Sequence, residues 1–313
     1  MNLKIRMVLP FVLNILLVSN MVATTCAAEN KTAIPATKPI GSATPVAKSV
    51  VDKTVETKPS ELKSSERAVI KKIDSQDALA EWFSFYYQHP QPSQIIPALL
   101  YADKSGFLEK VSNRAIMASF LVALLPQNPT LLDELLTKLK PLSMDLRSLL
   151  VSVIWMSNNE AAKAKVPMLI SVLPESNQNK ITNSMLVKWQ PLIEQKVDTP
   201  EQLDMLWAAF SATGDDKYVE RLLSVLQEGE LASAQAMSAS VSRGVASKVN
   251  LNRVLVFEAA SWSITSNAKQ HKKVLEICKR VAKSKGKDSA ALQRVIEDAE
   301  RKPAEKPKDK TGG

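Results

Sequence analysis

From residue 75 to residue 301 apolar side chains recur at helical spacing, in runs separated by proline, asparagine and glycine. No pair of alternating stretches joined by a tight turn interrupts them, so this part of the chain has no evident means of building a sheet. Residues 77–88 read as a helix stopped by Pro90 and Pro92, and 93–104 as a second with Gly106 as its C-terminal stop. Residues 113–125 are apolar all round, which implies burial on several sides. Asn128-Pro129-Thr130 reads as the start of a helix through Lys140, followed by helices over 144–156 and 160–173, the last stopped by Pro174. Glu175 is left in an inter-helix turn.

The sharpest boundary is Thr199-Pro200-Glu201-Gln202, where Thr is the cap, Pro opens the first turn and Gln can close a capping box. That helix runs to Gly214. Asp215 and Asp216 then cap a helix whose core face is Tyr218, Val219, Leu222, Leu223 and Leu226. Further helices are expected over 231–248, 251–266, 269–285 and 288–301, although 249–257 shows some strand-like alternation. With 8 glycines and aromatics at 5%, the composition also leans toward helix.

A unit recurs at 82–100, 155–173 and 207–226: a tryptophan, a polar turn, then a helix ending in paired apolar residues. These observations predict an all-α fold of antiparallel helical hairpins over 75–301, stacked as an α-solenoid or as an irregular helical array. A disordered linker is expected at 29–74, where four prolines interrupt a Thr/Ala/Lys/Ser background without aromatics, and a disordered basic tail at 302–313. The run Phe210-Ser211-Ala212-Thr213-Gly214-Asp215, following Trp207, resembles the inter-helix turn of a tetratricopeptide repeat over about one unit. Leu203-Asp204-Met205-Leu206-Trp207 with Ala212-Thr213-Gly214-Asp215 resembles a group of poorly characterised exported bacterial proteins. That resemblance implies export and names no activity.

Residues 1–28 read as an export signal. Lys4 and Arg6 form a positive start, 7–18 an apolar stretch too short to span a bilayer, and small residues precede a cleavage point after Ala28. Ala23-Thr24-Thr25-Cys26 loosely resembles a bacterial lipoprotein box, which makes Cys26 a candidate for lipidation. The expected location is the periplasm or envelope, with secretion or lipid anchoring as variants.

Chemistry-bearing residues are sparse. The histidines are His89, in a turn before Pro90, and His271, in a basic run where a solvated helix position is expected. Neither has a further ligand at metal spacing or a nucleophile partner, so no metal, cofactor or triad catalysis is expected. No Gly-rich phosphate loop is visible. Superhelical lytic transglycosylases join a helical solenoid to a catalytic Glu followed by Ser; Glu175-Ser176 is the pair here that resembles this, without the surrounding motif. A cell-wall-active carboxylate enzyme is therefore the alternative function. Cys278, with apolar neighbours at helical spacing, reads as a buried core thiol.

Charge is concentrated at one end. Residues 269–313 carry 14 basic and 7 acidic side chains, while the chain between the signal and residue 269 balances. Lys272, Lys273, Lys279, Arg280 and Lys283 are accordingly candidates for contact with an anionic membrane surface, a cell-wall polymer or an acidic partner. Nucleic acid is not expected, because no aromatics interleave these lysines. In the cluster Trp82, Phe83, Phe85, Tyr86 and Tyr87, core packing is the first reading, and Tyr86 and Tyr87 are the candidate anchors for a peptide. The functional expectation is an exported interaction scaffold or adaptor that binds a protein partner or an anionic envelope component; action on a host partner is the secreted variant.

Overall fold

The computed structural model describes residues 72–139, 141–243, 248–284 and 289–301, with side chains over all of these except 232–251. The chain divides into two units, Met1–Lys72 and Ile73–Gly313, and the described residues belong almost wholly to the second. The expected export signal, Cys26, nearly all of the linker and the basic tail lie outside the described residues.

The second unit is all-α, with no strand among the described residues. Helix α1 (Gln76–Phe85) starts where Ser75 Oγ accepts the Ala78 N–H at 3.1 Å. Helix α2 (Ile95–Lys104) ends before Gly106, whose φ of 74° reverses the chain as a glycine can. Helix α3 (Val111–Leu124) buries Ile116, Met117, Ala118, Phe120 and Leu121, as its all-round apolar sequence requires.

Helix α4 is confined to Leu131–Lys138. Asn128 does not cap it: its Nδ2 donates back to the Leu124 carbonyl at 3.2 Å, closing the end of α3 and leaving Pro129 outside both helices. Helix α5 (Met144–Met156) is capped by Ser143, whose hydroxyl accepts from Leu146 N at 3.1 Å and donates to Asp103 Oδ1 at 2.5 Å.

The single helix expected over 160–173 is two short ones, α6 (Glu160–Lys163) and α7 (Val166–Ile170). Pro167 explains the break, since its ring would collide with the Lys163 carbonyl and it has no N–H to give. Helix α8 (Glu175–Ser184) was not legible in the sequence because ESNQNKITNS has no apolar face, and none of its residues is buried. Glu175 is thus the first residue of a helix rather than part of a turn, placed where the macrodipole favours an acid.

Helix α9 (Pro200–Thr213) opens as expected: Gln202 Oε1 accepts the N–H groups of Asp198 at 2.7 Å and Thr199 at 3.1 Å. It ends at Gly214, with φ 66° and an N–H donated to the Phe210 carbonyl. Helix α10 runs unbroken over Asp216–Arg243, joining what the sequence divided into two. Gly229 does not break it because it serves packing. A Cβ there would lie 2.6 Å from the Phe257 Cβ, so glycine lets the next helix approach closely. That helix, α11 (Lys248–Gln270), absorbs the strand-like stretch at 249–257. Helices α12 (Lys272–Ser284) and α13 (Ala290–Glu300) follow. The Glu230 carboxylate accepts from Ser289 Oγ at 2.8 Å and Ala291 N at 2.9 Å, tying the start of α13 to α10.

Helices α10 to α13 pack on one another, largely neighbour on neighbour, as stacked hairpins do. The most extensive helix pair is α3 with α9, however, and α1 also lies on α9, across more than a hundred residues of chain. Of the two arrangements expected, the irregular array describes these contacts, and successive stacking does not account for the α3–α9 core. The three tryptophans of the apparent repeat are not equivalent either. The Trp207 indole is buried and donates to Ser263 Oγ at 3.1 Å, Trp155 donates to the Val187 carbonyl at 2.8 Å, and the buried Trp82 Nε1 has no partner among the described residues. No helix among the described residues is long and apolar enough to cross a membrane.

Candidate partner-binding cleft

The corner between α9 and α10 has one packed side and one open side. On the packed side, the Tyr87 N–H donates to the Ser211 carbonyl at 2.9 Å, and the Tyr87 ring lies on Phe210, with centroids 4.8 Å apart. A Cβ on Gly214 would come within 2.7 Å of the Tyr87 ring, so glycine is required here for space as well as for its positive φ. His271, between α11 and α12, closes this cluster. Its ring stacks on Phe85 at 4.6 Å, and its Nδ1 is 3.2 Å from the Tyr87 hydroxyl. With 3% exposure it is not the solvated residue expected, and burial lowers its pKa to about 4. Its flanking lysines pointed to the surface, but the ring sits one residue into the α11–α12 junction, facing inward.

On the open side is a cleft of about 710 Å³, built from four chain segments. The end of α3 and its turn contribute Leu125, Pro126, Gln127 and Pro129, and the end of α5 contributes Ser157 and Asn158. Trp189, Pro191 and Leu192 come from the irregular stretch before α9, and Thr213, Asp215, Lys217 and Tyr218 from the corner itself. Its volume is that of an ordinary ligand site, and its lining mixes apolar walls with polar groups in the usual way.

Asn158 organises the floor. It is the non-glycine residue with positive φ (52°) among the described residues, in the left-handed conformation that asparagine tolerates at a helix end. Its amide grips the Trp189 main chain at both ends: Nδ2 donates to the Trp189 carbonyl at 2.8 Å and Oδ1 accepts the Trp189 N–H at 3.1 Å. The Trp189 ring then meets Trp155 edge-on at 4.8 Å. An irregular segment is thereby fixed against α5 and holds its aromatic residue in the cleft wall.

Opposite, Asp215 caps α10 by accepting the Lys217 N–H at 3.1 Å, and its other oxygen pairs with Lys217 Nζ at 2.7 Å. This pairing holds the Asp215 carboxyl below the usual range despite partial burial, and raises Lys217. The Lys217 ammonium also lies 5.0 Å from the centroid of the Tyr218 ring, whose hydroxyl is raised by burial. Trp189, Asn158 and the proline walls were not singled out from the sequence. The available signals were Trp189-Gln190-Pro191 in a polar stretch and the prolines flanking Asn128.

The sequence candidates fall elsewhere. Tyr86 is 2% exposed, wedged edge-on against Trp82 and Phe120, so it is a core residue and offers a partner no surface. Tyr87 is committed to the His271 cluster. The basic residues of α12 are divided among carboxylates of neighbouring helices. Lys273 reaches Asp216 at 3.1 Å, Arg280 bridges Asp216 at 2.8 Å and Glu220 at 2.9 Å, and Lys279 pairs with Glu300 on α13. Lys272 projects into solvent with a loose 3.6 Å contact to Glu276, and Lys283 is exposed. These side chains fasten α12 to α10 and α13, which leaves a smaller free basic face than the count implies.

Cys278 is buried and its thiol is pushed up to about 12 by burial, which keeps it protonated and unreactive. Among the described residues no group of three or more His, Cys, Asp and Glu could hold a metal ion. Asp204, on α9, was missed altogether: burial and the nearby Glu201 raise it to about 7, and no hydrogen bond or ion pair holds it among the described residues. Compared with known proteins, the chain matches no family model, no curated protein and no solved structure.

Proposed function

We propose that this chain is an exported interaction adaptor that captures a protein partner in the cleft beside the α9–α10 corner. The observation that supports this reading is the cleft itself. Trp189 and Tyr218 line it together with three prolines, and Asn158 fixes one wall in place before any partner arrives. Aromatic side chains in a preformed recess give contact area at small entropic cost, which is how interface anchors work. The basic residues of α12 are better explained by helix fastening, so capture by charge is secondary. The export part of the proposal rests on the sequence pattern of residues 1–28 alone.

The test compares affinity capture from the native envelope by the wild-type chain and by two variants. A partner recovered by wild type and by Lys272→Glu but lost with Tyr218→Ala supports the proposal. Release of soluble fragments from purified cell-wall polymer, abolished by Glu175→Gln, would replace it with the enzymatic alternative.

A further inference from the structure

We propose that residues 186–195 form a strap that closes one wall of the cleft and swings away as a unit, leaving the helices in place. What holds this stretch carries the proposal. It lies between α8 and α9, and no residue from Leu186 to Gln195 is buried; Leu186 is 80% and Val187 66% exposed. Beyond the last turn of α8, its main chain makes no backbone–backbone hydrogen bond to another element among the described residues. Its fastenings are the side chains of three residues. Trp155 Nε1 donates to the Val187 carbonyl at 2.8 Å, Asn158 holds the Trp189 N–H and carbonyl, and Arg221 Nη2 donates to the Gln195 carbonyl at 3.1 Å.

The strap also has its own internal structure. The Glu194 N–H donates to the Pro191 carbonyl at 2.9 Å and Gln195 Nε2 to the Gln190 carbonyl at 2.6 Å, so 190–195 keep their turn when the three fastenings part. The ends are fixed. Met185 is buried at the end of α8, and Gln202 on α9 accepts from the Asp198 and Thr199 N–H groups and donates to the Lys196 carbonyl at 3.1 Å. Anchored ends with no buried residue between them make a local unit of low stability. Each neutral hydrogen bond exchanged for water shifts the balance by only about fivefold, and the freed backbone gains entropy, so the open form is a minor state on the order of 1%. Trp189, Pro191 and Leu192 leave the cleft with the strap, which removes one of its walls. On the adaptor reading above, a partner that touches this wall binds the closed form alone, and closure sets its apparent affinity.

The test is fluorine NMR of the full chain carrying fluorotryptophan at its five tryptophans, with the Trp189 signal assigned by Trp189→Phe. Relaxation dispersion should show Trp189 exchanging on the microsecond-to-millisecond scale while the buried Trp207 shows none. Asn158→Gly removes the amide, keeps the left-handed backbone and should raise the open population about fivefold. Arg221→Gln should raise it by a similar factor, although Arg221 touches the strap at Gln195 and not at Trp189. That second variant reads whether the strap moves as one piece. Exchange confined to Trp189 and its neighbour Trp155, and raised by both variants, supports the proposal. No exchange at Trp189 in any of the three proteins, exchange shared by Trp207 with the same population, or no response to Arg221→Gln overturns it. The measurement uses the chain alone, so a static strap overturns the gate and not the adaptor, while failed capture overturns the adaptor and not the gate.

Discussion

The two sides of the α9–α10 corner use the same kinds of residue for opposite ends. On one side Tyr87, His271, Phe85 and Phe210 close on each other, and the polar atoms of the tyrosine and histidine meet at 3.2 Å. On the other, Tyr218 and Trp189 line an open cleft with their polar atoms unspent among the described residues. An aromatic residue with a polar tip is therefore no evidence of a site until its tip is accounted for. In the closed cluster the tips are consumed and the residues serve stability. In the cleft they remain available, and there a partner has something to gain.

The largest effect expected from breaking this contrast is at Gly214, which both sides share. Gly214→Ala forces a side chain into a positive-φ position and against the Tyr87 ring, and should cost about 3 kcal/mol by urea denaturation. Acid comes next. Neutral His271 is favoured by the fold, so its stabilisation is complete above its unfolded value of 6.5 and is lost as pH falls through about 4, a change of about 3 kcal/mol.

Asp204 opposes it. Its folded value of about 7 lies above the unfolded 3.8, so the stability it contributes is complete below 3.8 and is lost as pH rises through 7. Across pH 4 to 6.5 the two slopes have opposite sign, and denaturation of the wild-type chain should show a nearly flat profile. Asp204→Asn should convert that into a rising one and add on the order of 2 kcal/mol at pH 8, because the part-buried carboxylate no longer ionises at a cost.

On the cleft side the stability effects are smaller. Asn158→Ala loses the grip on Trp189 and strains the backbone, for about 2 kcal/mol, while Asn158→Gly relieves the strain and should cost about half as much. Tyr218→Phe should change stability by less than about 0.5 kcal/mol, since its hydroxyl satisfies no group among the described residues. The same substitution in the closed cluster, Tyr87→Phe, should cost about 1 kcal/mol by leaving the His271 Nδ1 alone.

Much of the fold was legible because helix signals are local. Periodicity, the Thr199 start and the Gly106 and Gly214 stops each lie within a few residues of what they determine. What escaped had non-local causes. Helix α8 has no buried face to announce it, and Gly229 reads as a breaker until Phe257 is placed beside it. The site was less legible still. Its four segments are spread over about a hundred residues, and the residue that assembles them, Asn158, shows nothing in sequence of its bond to Trp189 thirty-one positions away. The basic run misled for the same reason, since its counter-charges Asp216, Glu220 and Glu300 sit on other helices.

The central claim is that a partner meets this chain at the cleft rather than at α12. A photo-crosslinking amino acid placed at Gln127 in one chain and at Lys272 in another, each activated in the native envelope, compares the two directly. A discrete crosslinked partner from Gln127, with none from Lys272, is the result this account requires. Crosslinks from Lys272 and none from Gln127 would contradict it and return the basic helix as the working surface.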